Sequence, residues 1–299
     1  MNEEQEQILA LKKKKNALIL AHYYQTSDVR EIADIVGDSF EMAKRAKEAK
    51  EELLVICGVR FMAESAKILN PTKTVLLPAK NAGCPMADMI TAQDVYALRE
   101  KHPKAAVVCY VNSSADVKAA GDICCTSSSA VSIVRSLPEN QIIFIPDRNL
   151  GAYVATQVPE KEIILFEGYC PIHDRITVGD VESAMNAYPG AKLLVHPECR
   201  PEVLAFADYI GSTAGIINAA KSSEAIDFII GTEREIASHL NELLPMKRFY
   251  PLTGGFMCPN MKKTRLANII DVLENDDVGI VLDNDVFVGA ARSLERMVG

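Results

Sequence analysis

Cys84, Cys170 and Cys258 stand 86 and 88 residues apart, and proline follows each of them. Thiolates are soft donors suited to zinc and to iron–sulfur clusters, so three drawn to one point would make a metal or cluster site. Three thiolates leave one position on zinc, or one iron of a [4Fe–4S] cluster, without a protein ligand. An open position of that kind suits Lewis-acid chemistry on a bound substrate better than electron transfer. The local spacing is not C-x-x-C, which sets aside a zinc ribbon and a ferredoxin-type run. Cys57 and Cys109 lie inside apolar runs, while Cys124, Cys125 and Cys199 have no counterparts at the repeat interval; all five read as packing residues.

Other residue types recur in register with the thiols. His22, Tyr110 and His196 each end an apolar run, and Tyr24, Asn112 and Glu198 stand two residues later. Twelve residues after the strand end come Asp34, Asp122 and Asp208, and seventeen after it Ser39, Ser127 and Thr213. A fixed period means one unit copied three times. A pseudo-threefold arrangement would bring equivalent positions together, the thiols included.

Short parallel strands and covering helices must position these groups. In the first copy ALILAHYYQ, LLVICG and TVLLP read as buried strands. Between the first two, Val29, Ile32, Ala33 and Val36 fall at helical spacing until Gly37, and Asp38-Ser39 form a cap before a second helix. The pattern repeats from AAVVCY and from AKLLVH, and the connectors from Thr91 and Thr177 read as matching helices. The expectation is an α/β protein of three similar three-layer α/β/α domains, with parallel sheets in pseudo-threefold arrangement around a central active site. The repeats run over 1–86, 87–172 and 173–260, with a C-terminal helical segment over 261–299.

Ligands of open α/β sheets bind at the carboxyl ends of the strands. Residues 22, 110 and 196 fall there, and the hydroxyls of Ser39, Ser127 and Thr213 fall near the following helix N-termini, where anions are favoured. Each hydroxyl also fits a plain helix cap, and one residue can do both jobs.

A net charge of −8 argues against nucleic-acid binding, and the basic run Lys12–Lys15 reads as the solvated end of an N-terminal helix. The acidic start MNEEQEQILA is not a secretory signal, and no apolar stretch approaches the ~20 residues that span a bilayer. A cytoplasmic protein with reduced or ligating cysteines is expected.

The segments AHYYQ, ADIVGDS, GVRFMAESAKIL, CPMAD, YVNSS, PDRNLG, GYCPIH, VHPEC, DYIGST, GTE and NMKKT resemble those of the bacterial quinolinate synthases, over nearly the whole chain. The resemblance implies a transferase of NAD (pyridine nucleotide) biosynthesis that condenses iminoaspartate with dihydroxyacetone phosphate to quinolinate, phosphate and water. It implies a [4Fe–4S] cluster on Cys84, Cys170 and Cys258. The catalytic set is Tyr24, Glu198, His196 and Tyr110, with Glu198 first choice as the proton carrier and Tyr24 second. The substrate-binding set is His22, Ser39, Tyr110, Val111, Asn112, Ser127, His196, Pro197, Glu198 and Thr213. His22 would take the dicarboxylate, His196 the triose end, and His173 would stand behind the cluster. Transient contact with an aspartate-oxidising enzyme is a further expectation. Two alternatives stay open: an aconitase-like hydro-lyase using the same open iron, and a non-catalytic iron–sulfur or zinc sensor.

Overall fold

Apolar runs without polar alternation bury both faces, and here they form the inner strands of three all-parallel sheets. The structure, a computed structural model, describes residues 1–275 and 278–298. Of the C-terminal segment expected over 261–299, positions 276, 277 and 299 lie outside the described residues. The first sheet holds β1 (Ala17–His22), β2 (Ile35–Gly37), β3 (Leu53–Cys57) and β4 (Thr74–Leu76), ordered β2-β1-β3-β4. The second holds β5 (Ala106–Tyr110), β6 (Ile123–Cys125), β7 (Gln141–Ile145) and β8 (Glu162–Leu165). The third holds β9 (Lys192–Val195), β10 (Tyr209–Ile210), β11 (Asp227–Gly231) and β12 (Arg248–Pro251). Their orders, β6-β5-β7-β8 and β10-β9-β11-β12, repeat the first. The threefold repetition read from the residues is thus a repetition of sheet topology.

One local expectation is corrected. The spacing of Val29 to Val36 suggested one helix, but the chain makes a short helix, Ser27–Ile32, and then the strand β2. Strands β2, β6 and β10 are two or three residues long, too short to display a period of two.

The recurring aspartate has a structural explanation. The Asp34 carboxylate accepts the Ile19 N–H at 2.9 Å and the Lys12 ammonium at 2.8 Å, while its own N–H donates to the Ile19 carbonyl at 2.9 Å. Asp208 does the same to Leu193 N–H and Lys192, each at 2.8 Å. Each aspartate satisfies backbone groups of a strand that a neighbouring strand too short to cover it leaves open.

Helix starts repeat as well. Thr91 and Asp94 bond hydroxyl to carboxylate at 2.7 Å at the start of Ala92–Lys101, and Thr177 and Asp180 do so at 2.7 Å at the start of Val178–Ala187. Asp38 caps Ser39–Glu48 by accepting Phe40 and Glu41 N–H, and Ser212 caps Thr213–Ser222 by accepting Gly215 N–H.

By compactness the chain forms two units: residues 1–97 with 111–124 and 259–299, and residues 98–110 with 125–258. In the first, Ile8, Ile19, Val29 and Val55 share a core with Leu266, Ile269 and Leu273 of the helix Leu266–Glu274. In the second, Val181, Leu193, Val203, Ile229 and Phe256 form another. Each such side chain contributes roughly 1.5–3 kcal/mol by leaving water. Lys12–Lys15 is the last turn of the helix Glu3–Lys15, where cations suit the dipole. Among the described residues, no helix is long and apolar enough to cross a membrane.

Candidate active site

In the second unit Tyr110 and His196 from strand ends and His173 and Asn149 from helices meet around Glu198. The Tyr110 hydroxyl, at the end of β5, donates to Glu198 Oε1 at 2.7 Å. On the other oxygen, Oε2, His173 Nδ1 lies at 2.9 Å. His173 Nδ1 is also 3.2 Å from Cys170 Sγ, and its Nε2 is 3.0 Å from the Thr232 hydroxyl. A proton on Nδ1 therefore serves the carboxylate and the sulfur, while Nε2 pairs with the Thr232 hydroxyl. Asn149 Nδ2 holds the Glu198 carbonyl at 3.0 Å and the Asp174 carboxylate at 3.0 Å, and Asp174 is also bound by Arg148 and Arg200.

His196 follows β9. Its Nδ1 accepts the Glu198 N–H at 3.3 Å, so the neutral ring carries its proton on Nε2 and presents it to Ser127 Oγ at 3.2 Å. Burial pushes this imidazole down to about 4, against the pull of the Glu198 carboxylate, with His173 adding to the fall. The ring is neutral at physiological pH. Burial opposes the charge of Glu198 too, but His173, His196 and the bonds from His173 and Tyr110 outweigh it and hold the carboxyl at about 2. The nearby Asp147 is driven the other way, well above the usual carboxylate range, by burial and by the Glu198 charge. Two carboxyls pushed apart in this way mark a site built for proton handling.

Asp147 also shapes the loop that carries Cys170. Its Oδ1 caps the helix Arg148–Gln157 through Leu150 N–H at 2.8 Å, and its Oδ2 accepts the Cys170 N–H at 3.1 Å. Gly168 runs so close to this segment that an added Cβ would lie 2.5 Å from the Pro146 carbonyl. The Cys258 N–H donates to Glu233 Oε1 at 3.4 Å. Cys170 and Cys258 are both half-buried, Pro197 is buried, and Thr213 opens its helix as the first residue past the Ser212 cap.

In the first unit the local design at β1 matches that at β9. His22 Nδ1 accepts the Tyr24 N–H at 3.1 Å, and the two rings meet edge to face with centroids 4.5 Å apart. His22 is buried and Tyr24 half-buried. Ser39 opens its helix past the Asp38 cap, and with Val111 it lines a small, mainly apolar hollow walled by Met42, Phe61, Met62 and Ser65. Asn112 follows Val111, and Cys84 lies half-buried in its loop. The three Cys-Pro thiols are thus half-buried, whereas Cys57, Cys109, Cys124, Cys125 and Cys199 are buried. Burial raises the Cys57 and Cys199 thiols well above their usual range, which suits inert packing.

Ser127 differs from its two counterparts. It precedes the helix Ala130–Ser136 by three residues and bonds a histidine rather than standing at a helix start. Asp147, Asn149, Asp174 and Thr232 were missed from the sequence, although PDRNLG was a visible signal for the first two. Cys170, His173 and Glu198 offer a sulfur, a nitrogen and an oxygen all within 4.8 Å of one another, close enough to share one metal ion.

Desolvating an ionised carboxylate against imidazoles is costly for a purely structural element, and here it is surrounded by donors at strand ends. Fold and site together define an α/β enzyme. The family model described as Quinolinate synthetase A protein matches residues 6–299. A quinolinate synthase of Caldicellulosiruptor bescii is 52% identical over 292 residues, covering 98% of this chain and 96% of its own. One of Methanoregula boonei is 50% identical over 294 residues, covering 98% and 97%, and one of Clostridioides difficile is 47% identical over 291 residues, covering 97% and 96%. The chain belongs to the quinolinate synthetase A family and is an enzyme of that family.

Proposed function

We propose that this enzyme condenses iminoaspartate with dihydroxyacetone phosphate in the cytoplasm, releasing quinolinate, phosphate and two waters for NAD biosynthesis. The observation that carries the reading is Glu198, a buried carboxylate that holds Tyr110 and His173 while His173 reaches the Cys170 sulfur. The names of the relatives support the product.

The donor set fits a [4Fe–4S] cluster on Cys84, Cys170 and Cys258: all three thiols are half-buried in loops, and Cys170 has an imidazole donor for its sulfur. Such a cluster, with one iron lacking a protein ligand, supplies a Lewis acid that polarises a substrate oxygen toward departure as water. The chain itself does the binding and the proton transfer. His22 and His196, each with Nδ1 tied to the backbone, present an Nε2–H that suits an anionic or carbonyl oxygen without bringing a full charge. With cap duty met by Asp38 and Ser212, the hydroxyls of Ser39 and Thr213 serve carboxylate and phosphate at helix starts. Ser127, Val111, Asn112 and Pro197 complete the substrate contacts.

Glu198 held at about 2 is a weak base by itself at neutral pH. Its work is therefore shared: it takes a proton as a partner of Tyr110 and His173, and Tyr24 is the second proton carrier. The repeats 1–86, 87–172 and 173–260 serve as three domains, with 261–299 as the C-terminal segment. Iminoaspartate is unstable, which suits transient contact with an aspartate-oxidising enzyme.

Anaerobically purified protein, supplied with iminoaspartate made in situ and dihydroxyacetone phosphate, should release quinolinate and phosphate one for one. Phosphate release without quinolinate would reject the condensation. A second reading, one mononuclear metal on Cys170, His173 and Glu198, rests on their mutual distance. It requires metal without acid-labile sulfide, whereas the cluster requires both.

A further inference from the structure

The turn that carries Tyr24 is gripped from the far end of the sequence. Within the first unit, Lys262 Nζ donates to the Tyr24 carbonyl, and Gln25 Nε2 donates to the Met261 carbonyl at 2.8 Å. These contacts join positions 238 and 236 residues apart. Gln25 is fully buried, and its own carbonyl accepts Arg30 Nη1 at 2.5 Å. One residue past Lys262, Lys263 Nζ donates to the Asn81 carbonyl at 2.7 Å, in the loop that leads to Cys84.

Fixing a long lysine side chain costs rotamer entropy, and an exposed lysine gains little from a main-chain carbonyl. Lys262 is half-buried, and the segment that bears it is anchored. Thr264 is buried, and the chain then enters Leu266–Glu274, whose Leu266, Ile269 and Leu273 pack in the core that also holds Ile19 of β1. A rigid post two to four residues beyond the Cys258-Pro259 step thus reaches the backbone of the Tyr24 turn. Because the grip is on the carbonyl, it fixes the turn without occupying the phenol.

We propose that Lys262 is a positioning residue: it holds the Tyr24 turn in the register from which the phenol acts on substrate. With Lys263 on the Asn81 loop, the same segment ties that register to the chain around two of the three Cys-Pro thiols. The proposal rests on the reading of Tyr24 as catalytic. A displacement of about 1 Å at a reacting group can cost ~10²-fold in rate, so the grip matters without touching substrate.

The test compares Lys262→Met, Lys262→Arg, Tyr24→Phe and the Lys262→Met/Tyr24→Phe double variant in the full-length holoenzyme, measuring kcat, KM for the triose phosphate, and iron per chain. Lys262→Met should lower kcat roughly 10- to 100-fold with KM and iron within about twofold, and Lys262→Arg should recover most of it. In the Tyr24→Phe background the same change should do almost nothing. A kcat for Lys262→Met near that of the parent, beside an inactive Tyr24→Phe, overturns the positioning role alone. So does an undiminished effect in the double variant, or a loss of iron with kcat per iron unchanged. A fully active Tyr24→Phe instead overturns the role of Tyr24, and the proposal with it. Should Lys262→Met be insoluble, Lys262→Gln is read against the same limits.

Discussion

His196 Nδ1 accepts the backbone N–H of Glu198 at 3.3 Å, and His22 Nδ1 accepts that of Tyr24 at 3.1 Å. Each strand-end histidine is thereby fixed as the tautomer with its proton on Nε2, and the residue two positions on is fixed relative to the ring. That pairing explains why the repeat conserves a spacing of two between such different residue types as tyrosine and glutamate.

Acid should weaken the fold in two stages. The unfolded His196 ring takes a proton as pH falls through its ordinary 6.5, while the folded ring resists until about 4. The unfolded state binds more protons in that window, so stability falls as pH drops from 6.5 to 4, by about 3 kcal/mol. Glu198, depressed from 4.5 to about 2, adds a loss only below 4.5. Denaturant titrations across pH should show the upper stage shrink in His196→Gln; an unchanged upper stage contradicts the assignment.

Tyr110→Phe removes a 2.7 Å bond to a buried carboxylate. It should cost roughly 1.5–3 kcal/mol of stability and reduce kcat. Glu198→Gln should reduce kcat by ~10²–10⁴-fold while iron content and affinity for quinolinate, measured as Kd by calorimetry, barely move. Loss of affinity with kcat intact would make Glu198 a binding residue and leave proton transfer to Tyr24.

Gly168→Ala places a methyl carbon 2.5 Å from the Pro146 carbonyl, two residues before Cys170. The loop must shift, and iron per chain should fall while far-ultraviolet circular dichroism keeps its shape. Normal iron with a normal spectrum would show that the loop tolerates the displacement.

Asp208→Asn should behave oppositely. It weakens the bonds to Leu193 N–H and Lys192 at the start of β9, the opposite end of that strand from His196. A stability loss of about 1 kcal/mol, read by denaturant titration, is expected with kcat unchanged. A large kcat loss would place this aspartate in the chemistry after all.

What the sequence made legible was whatever the period protects. Three copies of one motif declared the parallel sheets, the Cys-Pro thiols and the strand-end residues. The strands β2, β6 and β10 escaped because two or three residues carry no periodic signal, and their pairing is decided by the neighbouring strand. The recurring aspartate was visible, but its work on the backbone of β1 and β9 was not. Asp174 has a counterpart in Asp88, four residues past Cys84, whereas Asn149 and Thr232 have none, and all three escaped because each acts on a site residue through tertiary contact. The same is true of Lys262, whose partner lies 238 residues away.

The most direct test of the account is iron and acid-labile sulfide per chain in anaerobically purified Cys84→Ser, Cys170→Ser and Cys258→Ser, beside Cys57→Ser and Cys199→Ser. Each of the first three should lose most of both, while the last two should match the parent. Retention of a full complement by any one of the three Cys-Pro variants would contradict that account.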